Sequence, residues 1–147
     1  MSSFVFNVSK GKVAYYAGLP AANDALIAVP IETTGIESDA TLKDYDNLSV
    51  LLAAANNEQT TMGRKTLASV TVTVDDTNDR VDVDCADITW TAATGNAISA
   101  VVICYDPDTT TGTDADLIPL IKDDAVATPA GGDITYSVAT SGFYRAS

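Results

Sequence analysis

Hydrophobic and polar positions alternate with a period of two over much of this chain, and that period predicts a protein built mainly from β-strands. Ala68–Val74 (ASVTVTV) sets valines between small polar residues, RVDVDC alternates again, and DDTND between them supplies asparagine and aspartate for a tight turn, so the three segments predict a hairpin. Ala25–Glu32 (ALIAVPIE) reads as a strand, with Pro30 arguing for an edge position because proline has no ladder donor. ADITWTA, AISAVVICY, LIPLIKDD and ITYSVA follow, separated by TGN, by a polar loop and by TPAGGD. AISAVVICY, apolar but for Ser99, reads as a buried strand.

The period changes to three and four residues only over Ala40–Asn56. There Leu42, Tyr45, Leu48, Leu51, Leu52 and Ala55 form one stripe behind a Ser38 or Asp39 cap, with Asp44 and Asp46 near the start of the helix. A shorter helix is expected through KGKVAYYAG, capped by Ser9 and closed by Gly18 and Pro20, although Gly11 weakens it. The expected fold is therefore mainly β with a minor helical part: an antiparallel β-sandwich or open barrel carrying one packed α-helix. No repeat, linker or composition shift divides residues 1–147, which read as a single domain with residues 1–8 as a possible extended arm.

Composition narrows the function classes. The chain has 147 residues, 46% hydrophobic and 19% charged, within the globular range and long enough to bury a core without metals or disulfides. Its net charge of −12 disfavours nucleic acid and anionic membrane as partners and favours solubility. No stretch is apolar enough to span a bilayer and MSSFVFNVSK lacks a signal-peptide core, so cytosolic synthesis is expected. The absence of histidine removes the commonest general base and metal ligand. The expectation is a protein without enzymatic activity, catalytic residues or a cofactor.

Cys85 and Cys104 lie in strand-like runs, where they are either a bridge between neighbouring strands or two reduced core residues; the second reading is preferred. Asp106, Asp108, Asp114 and Asp116 flank Gly112 in a loop with some calcium-site character, but Thr110 and Leu117 stand where an EF-hand has carboxylates, so turn-forming aspartates are the favoured reading. Trp90 reads as core. The apolar groups at the two ends, Phe4, Val5 and Phe6 and then Phe143 and Tyr144, are candidate interface residues. Apolar termini persist either by pairing with the body of the domain or by pairing with a neighbouring subunit. If the arm is separate, deleting Met1–Asn7 should leave a folded domain.

RKTL (64–67), DDTNDRVDVDCADITWTA (75–92), VVICYDPDTTTGTDADLIPL (101–120) and the ending GFYRAS resemble a family of small structural proteins of tailed bacteriophages. KGKVAYY and LIAVPIETTGIESDATLKDYDNLSVLL match the family more loosely, and the likeness is one of layout rather than of invariant motifs. The resemblance implies a virion component on the capsid surface, assembled in the host cytoplasm: a decoration or cement protein that bridges subunits of the major capsid protein, as a homotrimer or another symmetric oligomer. It brings no active-site residues with it. A tail-associated or host-surface-binding protein is the alternative, and a carboxylate-dependent hydrolase stands third.

Overall fold

The computed structural model describes residues 1–147, with 35% of them in strands and 12% in helices, which makes the fold mainly β, antiparallel and sandwich-like. Five strands form the main sheet in the order β1 (Phe4–Val5), β8 (Ile118–Ala127), β7 (Ile98–Asp106), β2 (Ala25–Glu32) and β3 (Lys65–Thr66). A three-stranded sheet runs β10 (Tyr144–Ala146), β5 (Arg80–Asp84) and β4 (Thr71–Asp75). β6 (Ile88–Trp90) and β9 (Ile134–Tyr136) pair separately. No helix is long and apolar enough to cross a membrane.

The main sheet is buried on both sides, and strand alternation distributes its residues between two cores. Leu26, Ala28, Val101, Ile103 and Tyr105 face one core, shared with Val83, Ile88 and Trp90 of the smaller sheets, Cys85 just after β5, and Val13 and Ala17 of α1 (Val13–Ala17). Ile27, Val29, Ile31, Ala100, Val102 and Cys104 face the other, closed by Leu42 of α2 (Asp39–Leu42) and by Leu48 and Leu51 of α3 (Leu48–Ala53). Trp90 is buried and donates from Nε1 to the Gly63 carbonyl at 2.8 Å. Its polar edge is thereby satisfied inside the core.

The hairpin β4–β5 forms where expected, its turn held by Asp75, whose side chain accepts from the Thr77 and Asn78 amides at 3.2 Å. The single helix expected over Ala40–Asn56 is instead two, α2 and α3. Asn47 breaks it: with extended backbone it caps α3, accepting from the Val50 amide at 3.0 Å. The next two amides, of Leu48 and Ser49, bond the carbonyls of Leu117 and Asp114 at 3.0 Å. Of the expected stripe, Leu42, Leu48 and Leu51 are buried and Tyr45 and Leu52 partly so, whereas Ala55, past the end of α3, is exposed. The helix near Ser9 shortens to a 3-10 turn at Asn7–Ser9 followed by α1, and Ser9 caps neither; its buried hydroxyl donates to the Pro119 carbonyl at 2.6 Å.

Pro30 is not on an edge strand by sheet order, because β2 lies between β7 and β3. β3 pairs only with Ile27 and Ala28, however. The Pro30 carbonyl accepts from Gln59 on that same side, so its missing donor points where the β3 ladder has already ended.

Candidate functional site

The five terminal residues separate into one core residue and four that gather at one place. β1 pairs with β8, Phe4 opposite Lys122 and Val5 opposite Ile121, and the chain continues with Phe6 N–H donating to the Leu120 carbonyl at 3.0 Å. Phe6 is fully buried in the second core, its ring edge-on to Phe4 at 5.2 Å. Ser2 extends the attachment: its amide donates to Asp39 Oδ2 at 2.6 Å, and its carbonyl accepts from Lys122 Nζ at 3.1 Å. Residues 2–7 are thus tied to the body of the domain, with Phe4–Val5 as an outer strand of the main sheet, rather than forming an extended arm. The pairing of apolar ends with the body of the domain is the alternative the structure adopts.

The C-terminal segment pairs in the same manner. β10 lies beside β5, Tyr144 opposite Val83, and Phe143 N–H donates to the Val83 carbonyl at 2.9 Å. Arg145 binds Asp82 with two parallel hydrogen bonds of 2.6 and 2.9 Å, a charge-assisted fork that raises the guanidinium pKa and lowers that of the carboxyl. Gly142 makes the turn into β10 with φ +84°, and a Cβ there would lie 2.1 Å from the Val83 oxygen. Gly142→Ala should therefore lower stability by about 1–3 kcal/mol. In urea its midpoint should fall, and the Tyr144 and Arg145 amides should exchange faster; unchanged exchange would show that the turn tolerates a side chain.

Phe4, Val5, Phe143 and Tyr144 together line a groove of about 200 Å³, with Ser3, Ile121, Lys122, Asp123 and Arg145 completing its walls. The flanking strands β1 and β10 are each the last of their sheet, so each has one edge without a ladder partner. Groups of this kind, apolar side chains beside unpaired backbone donors and acceptors, suit an added extended segment.

The other candidates resolve differently. Three of the four aspartates of the 106–116 loop are turned to contacts within the loop. Asp106 accepts from the Asp108 amide, Asp108 from the amides and hydroxyls of Thr110 and Thr111, and Asp116 from Thr113. The threonine hydroxyls and amides hold the Asp108 carboxyl well below its ordinary range. Asp114 instead bonds Arg64 at 2.6 and 2.9 Å, and Glu58 holds the opposite side of the guanidinium. The turn-forming reading holds for Asp106, Asp108 and Asp116, whereas Asp114 serves an ion pair with Arg64.

The cysteines are free and lie in different cores, Cys85 in the first and Cys104 in the second, so the main sheet separates them and a bridge is excluded. Burial, with Asp84 and Asp87 adding to it, pushes the Cys85 thiol up to about 11; burial raises Cys104 further. Both are protonated at neutral pH and behave as small hydrophobes.

Sequence reasoning missed the buried cation beside the groove. Lys122 is fully enclosed, yet its ammonium has three acceptors in Ser2 O, Asp39 Oδ1 and Asp124 Oδ1, and lies 5.5 Å from the Phe4 ring centre. In LIPLIKDD it reads as the polar end of a strand, with no local sign of burial. No protein-family model, no curated protein and no solved structure matches this chain.

Proposed function

We propose that this chain is a structural component of a tailed-bacteriophage virion, a capsid decoration or cement protein that bridges neighbouring subunits of the major capsid protein. The observation that carries the reading is the groove lined by Phe4, Val5, Phe143 and Tyr144, residues at the start of β1 and β10, each the outermost strand of its sheet. An extended segment of a capsid subunit fits there by adding a strand, with backbone hydrogen bonds for affinity and the aromatic groups for specificity. The sequence likeness of Arg64–Ser147 to small phage structural proteins supports the same partner. A net charge of −12 suits an exterior position, since it limits contact with packaged nucleic acid. Many copies bound to an assembled shell, and not to free subunits, stabilise the shell by mass action and multivalency.

The test is the copy number of this chain relative to the major capsid protein in purified virions. A ratio of one, or a simple fraction such as one to three, is the expected result. A handful of copies per particle would favour the tail-associated alternative, and absence from virions would overturn both.

A further inference from the structure

Edge strands in native proteins are protected by short length, a lysine or proline, or a bulge. β4 has none of these. It pairs with β5 alone, is the longest of the strands with a single partner, and keeps an unbroken register from Thr71 to Asp75. Leu67–Val74 carries no charge in a chain of net −12, and the one charge in β4, Asp75, lies 3.1 Å from Arg80. Two valines are left outside the core, Val72 at 37% and Val74 at 64% exposure.

The direction of the free backbone groups follows from the ladder. The Val83 carbonyl is bonded to Phe143 on the β10 side, so the residues opposite Val83 and Val81, namely Val72 and Val74, direct their N–H and C=O groups away from β5. From this geometry we propose that β4 is a homodimerisation edge, pairing antiparallel with β4 of a second copy about a two-fold axis at Thr73.

That register alone sets Val72 opposite the partner's Val74 and Val74 opposite the partner's Val72. Both members of each pair have outward-pointing backbone groups, so four hydrogen bonds close the joint. It also sets Asp75 opposite the partner's Thr71, so no carboxylate of β4 faces another, which is the charge arrangement a strongly acidic chain needs to meet itself. Val72 and Val74 share a face with the buried Val83, and pairing makes one apolar strip across both copies. The joint is separate from the groove between the termini and does not depend on the virion reading, since it is measured on the purified protein.

Sedimentation equilibrium of the full chain from about 10 µM to about 1 mM, a range chosen for a small interface, should show mass rising from 15.3 kDa towards twice that value. Over the same range, exchange of the Val72 and Val74 amides should slow with concentration. Val74→Lys should weaken association at least tenfold with an unchanged melting temperature. Val74→Pro, which removes a donor facing the open edge and spares the β5 ladder, should do the same. A wild-type chain monomeric throughout would overturn the proposal. So would a dimer that both variants leave intact, or one whose Val72 and Val74 amides exchange at a concentration-independent rate.

Discussion

Truncation of Met1–Asn7 is expected to leave the chain largely unfolded at room temperature, and Phe6→Ala alone should remove about 3–5 kcal/mol of stability. Phe6 is fully enclosed among Val29, Leu42, Leu48 and Val102 in the second core. The truncation removes that ring and the β1 ladder, and it takes further contacts, among them the bonds from Ser2 to Asp39, from Lys122 to the Ser2 carbonyl and from Asn7 to the Lys43 carbonyl. A domain of this size is stable by about 5–15 kcal/mol, so a loss of this order takes most of the margin. Urea denaturation of Phe6→Ala and circular dichroism of the truncated chain make the comparison. If the truncated chain melts within a few degrees of the full one, residues 1–7 are an accessory arm after all and the second core is complete without Phe6.

Why the terminal segment reads as an arm explains what the sequence could and could not disclose. Strand and turn chemistry is local. Ala25–Glu32 was legible to its limits, AISAVVICY was legible as a buried strand, and Asp75 before Thr77 and Asn78 announced the hairpin turn. Periodicity also named the buried side of the α2–α3 segment, because it reports which residues face the core. It does not report whether the backbone between them is continuous, and Asn47 ended the helix in its middle.

Phe4–Val5 is paired with a strand almost the whole chain away, and nothing within a few residues of it indicates that partner. The same limit applies to the candidate site. The apolar ends were visible as Phe4, Val5, Phe6, Phe143 and Tyr144, but that four line one groove and the fifth is core depends on β1 joining β8 and β10 joining β5. The alternation of Ala68–Val74 reads as a half-buried strand, with Val72 and Val74 on its covered side. They are exposed because β4 is the outermost strand of a small sheet, a fact of topology rather than of pattern.

Lys122 gives the second large effect, and its sign depends on which partner is changed. Its ammonium has no contact with water and three acceptors for three donors. Removing both carboxylates, Asp39→Ala with Asp124→Ala, leaves a buried cation with only the Ser2 carbonyl, and should cost about 3–5 kcal/mol. Lys122→Met keeps the aliphatic packing and removes the charge. Asp39 and Asp124 retain part of their hydration, with side chains 24% and 35% exposed, so this variant should lie within about 1 kcal/mol of the parent or above it.

Acid should act through the same contact. Burial alone would raise the Asp39 pKa, but hydrogen bonds from Ser2 and Lys122 outweigh it and hold the folded-state value below the ordinary one. Asp39 therefore contributes its stability above the unfolded-state pKa of about 3.9 and loses it as the pH falls through the lower folded-state value. Urea midpoints measured between neutral pH and the acid range should fall for the parent. In Lys122→Met that part of the fall contributed by the lysine should vanish. If Lys122→Met is as damaging at neutral pH as the double carboxylate variant, the ion cluster is a net source of stability, and its role is more than keeping a buried charge paired.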